Sequence, residues 1–139
     1  MTKQKAIMVD VDGTLADMKG IRGPFEWDKV GLDRPYADII KLVQTLSDTG
    51  RKIIIMTGRD GVAEKDTADW LKDHGVPYDE FFIRPAGNYE KDSIIKSRIY
   101  MDHIRDNYDI EFILDDRDQV VDMWRSIGLR CLQVAPGNF

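Results

Sequence analysis

The sequence has little of several features that mark particular classes of protein. Its 139 residues contain one cysteine, Cys131, so an internal disulfide is excluded and a reducing cytoplasm is the expected location. The formal net charge is -5, which argues against a globally basic nucleic-acid binder and leaves only a local cluster of Arg and Lys for such contacts. The longest apolar runs are as short as strands, so neither a signal peptide nor a membrane span is expected.

What the sequence does contain is a regular alternation of strand and helix patterns. Short apolar runs predict strands at 6–9, 52–56, 81–83, 110–114 and 130–134. Helical spacing of apolar residues predicts helices between them. The first follows Asp33 and ends at Gly50, with its apolar stripe over 39–46, and the others lie at 62–71, 91–104 and 119–127. This alternation is typical of an α/β fold with a doubly wound parallel sheet. At this length we expect a single domain over residues 1–139, with no room for a second domain.

Two carboxylates, Asp10 and Asp12, follow the first predicted strand, and Gly13 predicts a turn behind them. Ligands of open α/β sheets bind beyond the carboxyl ends of the strands, and residues two apart in extended chain share a face. Converging carboxylates repel each other unless a cation or a shared proton relieves the repulsion, which makes a hard divalent ion such as Mg²⁺ the natural companion. Asp10 could then attack phosphorus while Asp12 serves as general acid and base. The alternative is that both residues only cap a strand end.

A second acidic pair, Asp115 and Asp116, follows the fourth predicted strand. Together with Asp10, this pair could supply oxygen ligands for one Mg²⁺. One of Asp116 or Asp118 is also expected to cap the helix that follows.

Thr57, Gly58 and Arg59 stand at the end of the second predicted strand. A hydroxyl, a glycine and a guanidinium there suit a phosphate pocket, because backbone N–H groups and the fork of an arginine both match phosphate oxygens. The alternative is a Thr-Gly turn that caps the next helix.

The polar segment 16–35 is too long for a tight turn and is interpreted as a flap over Asp10. Arg22 lies within it and is a candidate for gripping a phosphate; the alternative is a solvated loop arginine. Asp33 is expected to cap the helix that follows the flap. Lys91 begins a later helix, where its charge opposes the helix dipole, so it is either part of a site or merely solvated.

Taken in chain order, Asp10-x-Asp12, Thr57, Lys91 and Asp115-Asp116 resemble the four motifs of the haloacid dehalogenase (HAD) superfamily of phosphohydrolases. The resemblance extends along nearly the whole chain to the 3′-phosphatase domains of bacteriophage polynucleotide kinase-phosphatases. It is carried by a set of short motifs: 10–16, 22–24, 58–59, 91–92, 115–117, 123–125, 127–128 and 133–139.

The resemblance implies a HAD-like, Rossmann-like sheet with a short flap and no large cap. It implies Asp10 as nucleophile and Asp12 as general acid and base, whose backbone carbonyl also reaches Mg²⁺. The remaining implied roles are phosphoryl binding by Thr57 and Lys91, substrate or phosphate contacts by Arg22 and Arg59 beside Gly58, and metal binding by Asp115 and Asp116.

The expected function is therefore a Mg²⁺-dependent phosphomonoesterase that acts on 3′-phosphate ends of DNA or RNA, or on nucleoside 3′-monophosphates, through an aspartyl-phosphate. A phosphatase for a small metabolite or free nucleotide is the alternative enzyme. A non-catalytic module that binds nucleic-acid ends would not need both Asp10 and Asp12. The chain has no P-loop motif, so we expect a freestanding phosphatase, working with a separate kinase or ligase if with any partner.

Overall fold

The structure is a computed structural model, and it describes residues 2–139. Five parallel strands form the central sheet: β1 Gln4–Val9, β4 Lys52–Asp60, β5 Glu80–Arg84, β6 Tyr108–Asp115 and β7 Cys131–Gln133. Their order across the sheet is β5-β4-β1-β6-β7. The chain moves from β1 to one side of the sheet and then to the other, so the crevice beside β1 is a topological switch point. The predicted doubly wound α/β fold is confirmed.

Helices cover both faces of this sheet, at α1 Ala37–Asp48, α2 Glu64–Asp73, α3 Asp92–Ile99 and α4 Asp118–Ser126. Because side chains alternate along a strand, β1 and β4 contribute to two separate cores. One face packs against α1 and α2 through Ile7, Val9, Ile53, Ile55, Val43 and Leu71. The other packs against α4 and the segment after α3 through Ala6, Met8, Ile54, Met56, Trp124 and Ile104.

The flap is closed at its base by two short antiparallel strands, β2 Ala16–Asp17 and β3 Arg34–Pro35. A 3-10 helix, Trp27–Leu32, occupies its middle. No larger insertion interrupts the elements between residues 2 and 139, as expected for a fold without a large cap. None of the helices in this described range combines the length and hydropathy that a membrane span needs.

Three local predictions need correction. The second predicted strand does not end at Met56 but runs to Asp60 as β4. The helix predicted over 91–104 is α3 followed by a π-helix, Tyr100–Ile104. Neither Asp116 nor Asp118 caps α4, because its N-cap residue is Arg117 and no side chain bonds there.

Candidate active site

Three buried carboxylates meet at the carboxyl ends of β1 and β6. Asp10 follows β1 directly, Asp115 ends β6, and Asp116 comes next. One oxygen from each of these residues lies within 4.8 Å of the others. The neighbouring position of the two strands produces this convergence, since β1 and β6 pair in parallel and end at the same edge of the sheet. The expected grouping of Asp10 with Asp115 and Asp116 is what the structure shows.

The lysine in contact with this cluster is Lys96 and not Lys91. Lys96 Nζ donates to Asp10 Oδ1 at 2.8 Å and to Asp115 Oδ2 at 3.0 Å, and this side chain of α3 is buried. Lys91 is exposed at the N-cap of α3 and lines the cavity above the cluster. A signal for Lys96 was present in the sequence, because it precedes Ile99 and Tyr100 by three and four residues and therefore falls on the apolar face.

Burial governs the electrostatics of the cluster. It raises the pKa of Asp10 well above its usual range; the charge of Asp115 adds to this shift and that of Lys96 opposes it. Burial also raises the pKa of Asp116, to about 6. For Lys96, burial alone would lower the pKa, but the charges of Asp10, Asp115 and Asp92 raise it well above its usual range. Ionising all three carboxylates together is therefore unfavourable despite the charge of Lys96.

Gly13 makes this close arrangement possible. Its φ of 80° lies in the left-handed region, and a Cβ at this position would overlap the carboxylate of Asp116. Thr14, the next residue, donates its hydroxyl to Asp10 Oδ2 at 3.2 Å. The turn after β1 therefore both admits Asp116 and orients Asp10.

Asp12 lies two residues beyond Asp10, and two arginines hold its carboxylate. Arg59 Nη2 donates to Asp12 Oδ1 at 2.7 Å, and Arg22 Nη2 donates to the same oxygen at 3.1 Å. Both guanidinium groups also bind Asp33, which is fully buried. Asp33 was expected to cap α1, but the N-cap residue of α1 is Tyr36. In this structure Arg22 and Arg59 position Asp12, and their direct contact with substrate stays a prediction.

Thr57 and Gly58 lie in β4 beside the cluster, where both line the cavity. The backbone N–H of Arg59 donates to the Thr57 hydroxyl oxygen at 3.1 Å, which leaves the hydroxyl proton free to bind a ligand. A Cβ at Gly58 would overlap Asp92, so the glycine makes room for that side chain. Asp92 Oδ1 has no hydrogen-bond partner within the described chain, although the ammonium nitrogen of Lys96 lies 3.8 Å from Oδ2.

A cavity of about 730 Å³ opens above these residues. Asp10, Asp12 and Asp116 line it from below, and side chains of the flap, the β5–α3 loop and the chain end surround it. Its volume is that of a typical small-molecule site.

The residues of the cluster fit a divalent metal ion. Carboxylate oxygens are the ligands that Mg²⁺ prefers, and three of them converge here. Lys96 supplies one positive charge against three carboxylates, so a divalent cation would balance what remains. Asp10, Asp115 and Asp116 are the side chains placed to hold it. The carboxylate of Asp12 points to the arginines instead, and the expected metal contact through its backbone carbonyl stays a prediction.

This site has the features of a HAD-type phosphatase. They are a buried aspartate after the central strand, an acidic pair at the end of the adjacent strand, and a buried lysine that contacts both. Comparison with known proteins shows the family. The chain belongs to the family of the polynucleotide kinase PNKP phosphatase domain, which matches residues 4–139.

Individual proteins that are similar to this chain carry names from the same family. One relative is a protein of Autographa californica nuclear polyhedrosis virus that is provisionally named a bifunctional polynucleotide kinase/RNA ligase. It is 30% identical to this chain over 126 residues. The match covers 88% of this chain and 18% of the viral protein. A solved chain of a Pnkp1/Rnl/Hen1 complex is 34% identical with a TM-score of 0.96, covering 100% of this chain and 48% of that one. The chain therefore spans less than half of these two relatives.

A chain from a second structure, of the Pnkp1/Rnl/Hen1 RNA repair complex, is 35% identical with a TM-score of 0.95 and covers 99% of this chain and 44% of that one. The class C acid phosphatase of Bacillus anthracis is 16% identical with a TM-score of 0.67, covering 99% of this chain and 68% of that one, and shares the fold.

Proposed function

We propose that this phosphatase removes the phosphate from 3′-phosphorylated polynucleotide ends or nucleoside 3′-monophosphates, with Mg²⁺ and through a phosphorylated Asp10. The observation that carries the proposal is the placement of Asp10. Its carboxylate lies at the base of the cavity with Lys96 at 2.8 Å, and Asp12 faces the same cavity two residues later. Membership in a polynucleotide kinase phosphatase family supports a polynucleotide as the substrate.

In the first chemical step, a carboxylate oxygen of Asp10 forms a bond to phosphorus while the bond from phosphorus to the sugar oxygen breaks. Asp12, as a carboxylic acid, gives its proton to that leaving oxygen. The arginine pair holds the Asp12 carboxyl group in a fixed position at the wall of the cavity during this transfer. The products of the step are the polynucleotide with a free 3′-hydroxyl and phosphorylated Asp10.

In the second step, Asp12 takes a proton from a water molecule whose oxygen attacks the same phosphorus atom. The bond between phosphorus and the Asp10 oxygen breaks, so inorganic phosphate leaves and both aspartates return to their starting states. The Thr57 hydroxyl and the Lys96 ammonium are placed to bind phosphoryl oxygens through both steps. A bound Mg²⁺ supplies positive charge that offsets the charge on the phosphoryl group.

The test is phosphate release from matched oligonucleotides that carry the phosphate at the 3′ or the 5′ end, with Mg²⁺ or with EDTA. Nucleoside 3′-monophosphates and p-nitrophenyl phosphate are assayed in parallel. We expect metal-dependent release from 3′ ends and none from 5′ ends. Release from p-nitrophenyl phosphate with all oligonucleotides ignored would overturn the proposed substrate and favour a metabolite phosphatase.

The variant Asp10→Asn tests the nucleophile. We expect it to lower turnover by at least about 10³-fold, because the amide does not attack phosphorus. Asp28→Asn, an exposed aspartate in the flap, is the matched control and should turn over normally. Ordinary activity of Asp10→Asn would overturn the aspartyl-phosphate mechanism.

A ligase is the class of partner that fits this chemistry, because a free 3′-hydroxyl is what ligation consumes. The relatives support this, since a kinase and a ligase are named together in the viral protein and the Pnkp1 structures include Rnl. We propose that a separate kinase or ligase acts on the same ends. A cytoplasmic location stays a prediction.

A further inference from the structure

The three most exposed aromatic side chains in residues 2–139 gather at one place. Phe25 is 80% exposed, Tyr89 is 89% exposed and Phe139 is 68% exposed, and all three line the cavity above Asp10. They come from three separate segments: the flap, the β5–α3 loop and the residues after β7. Singly scattered surface aromatics need no explanation, but three that converge on a site mark a binding surface. We call these three rings the aromatic rim.

Two members of the rim are fixed by neighbouring side chains. Phe25 packs edge to face against Trp27, with ring centroids 6.1 Å apart. The guanidinium of Arg117 lies 5.3 Å from the centroid of the Phe139 ring, and its Nε donates to the Phe139 carbonyl at 3.0 Å. Both rings therefore have a neighbouring side chain against them and still expose most of their surface, although the Arg117 guanidinium lies over one face of Phe139.

Arg84 fixes the loop that carries Tyr89. Its Nε donates to the carbonyl of Gly58 in β4 at 2.8 Å, and its Nη1 donates to the carbonyl of Asn88 at 3.1 Å and to that of Glu90. The loop is thereby tied to the strand that carries Thr57, one residue before Gly58. The backbone on either side of Tyr89 is therefore fixed relative to Thr57.

The cavity also has more room than a phosphoryl group needs. Sites of about 300–1,000 Å³ suit drug-sized ligands, and this one measures about 730 Å³. Arg84 and Arg117 line it but lie 3.6 and 3.7 Å from Asp92, so exposed Lys91 is the lining cation best placed to meet a phosphodiester. Exposed aromatic rings beside a cationic side chain are a combination by which proteins bind single-stranded nucleic acid.

Resting on the proposed function, we infer that the aromatic rim stacks the unpaired bases next to the 3′-phosphate, so that the substrate class is a single-stranded polynucleotide end. A paired base at a duplex end offers its outer face alone, and the bases behind it are stacked on both sides and offer no face to Tyr89 or Phe25. The rim would distinguish a single-stranded end from both a duplex end and a mononucleotide.

The experiment compares the unaltered protein with Phe25→Ala and Tyr89→Ala. The substrates are a 3′-phosphorylated single-stranded decanucleotide, the same strand in a blunt duplex, and p-nitrophenyl phosphate. Base-to-aromatic stacking is worth about 5-fold to 100-fold in affinity for each ring. We expect KM for the single strand to rise by at least about 5-fold more than KM for p-nitrophenyl phosphate, with the change in KM larger than that in kcat.

Two control variants separate stacking from a structural effect. Tyr89→Phe keeps the ring and should retain the low KM for the single strand. Tyr78→Ala removes an aromatic side chain outside the cavity and should leave all three substrates unaffected. A second readout is binding: Trp27 lines the cavity while Trp70 and Trp124 are buried, so the decanucleotide added to Asp10→Asn should quench Trp27 fluorescence.

The outcomes are distinguishable. If the unaltered protein releases 3′-phosphate from the single strand and the Ala variants show no selective rise in KM, the rim inference is overturned and the proposed function stands. Equal use of single strand and duplex would overturn it as well. If the unaltered protein ignores every oligonucleotide but hydrolyses p-nitrophenyl phosphate, the proposed function itself fails.

Discussion

Lys96 and Asp10 form a buried ion pair, with Nζ 2.8 Å from Oδ1, across 86 residues of sequence. The pair joins α3 to the end of the central strand β1, and the same ammonium reaches Asp115 on β6 at 3.0 Å. Lys96 is therefore the positive charge that the acidic cluster depends on before any metal or substrate binds.

The first prediction concerns this lysine. Lys96→Met keeps most of the side-chain volume but removes the charge, and we expect turnover of p-nitrophenyl phosphate to fall by at least about 100-fold. Lys91→Met is the matched control at the exposed start of α3, with an expected loss under about 10-fold. Circular dichroism checks that both variants are folded. A larger loss for Lys91→Met than for Lys96→Met would contradict the contact assignment.

Asp33 leads to a prediction about stability. It is fully buried and accepts hydrogen bonds from both Arg22 and Arg59. Asp33→Asn therefore leaves two buried cations with one shared carboxylate, Asp12, instead of two. We expect the free energy of unfolding to fall by about 3–5 kcal/mol, measured by urea denaturation. Asp28→Asn in the same flap is exposed and should change it by less than about 0.5 kcal/mol. Equal effects of the two substitutions would show that the arginine pair does not need Asp33.

Substitution of two glycines near the site distinguishes the effect of backbone strain from the effect of steric overlap. Gly13 and Gly20 have φ of 80° and 75°, but only at Gly13 would a Cβ overlap Asp116, since nothing lies within 4 Å at Gly20. Both substitutions to Ala should lower the free energy of unfolding by about 1–2 kcal/mol for the left-handed conformation. Only Gly13→Ala should also lower turnover, by at least about 10-fold, because Asp116 is displaced. Turnover of Gly13→Ala equal to that of Gly20→Ala would count against Asp116 as part of the site.

Cys131 gives a prediction about pH. Burial raises the pKa of its thiol to about 12, and the negative charge of Asp115 adds to this shift. The reactive form is the thiolate, so at pH 8 the folded protein should react with iodoacetamide at least about 100-fold more slowly than the urea-unfolded chain. Mass spectrometry after timed quenching measures this difference. Rapid alkylation of the folded protein would mean that β7 opens or that the thiol is ionised.

The sheet and its flanking helices could be predicted from the sequence because apolar residues recur with a different spacing in strands and in helices. Ile53, Ile54 and Ile55 are all buried, and the short run indicated a strand covered on both faces. The same reasoning located Asp10 and Asp115, since carboxylates at the ends of parallel strands must share an edge. Because β1 and β6 are neighbours in the sheet, the carboxylates at their ends also lie close to each other.

Lys96 and Asp33 were missed for two different reasons. Lys96 lies on the apolar face of α3, where the spacing of the neighbouring residues predicts an apolar side chain. Lys91 lies at the start of the helix, where a positive charge opposes the helix dipole, and it was therefore the lysine predicted to belong to the site. Asp33 lies just after the 3-10 helix of the flap, where no period says which way a side chain points. The arginine pair that binds Asp33 comes from positions 11 and 26 residues away, which only the folded chain reveals.

The parts of the site differ in how they are held, and this bears on the timescale of their motions. Asp10, Thr57 and Asp115 belong to or directly follow three adjacent strands of the parallel sheet, whereas Phe25 and Tyr89 lie outside it. Amide hydrogen exchange should therefore be slowest in β1, β4 and β6, which open only when the whole domain unfolds, and much faster around the rim. The loops that carry the rim can therefore adjust to each new substrate end while the acidic cluster stays assembled.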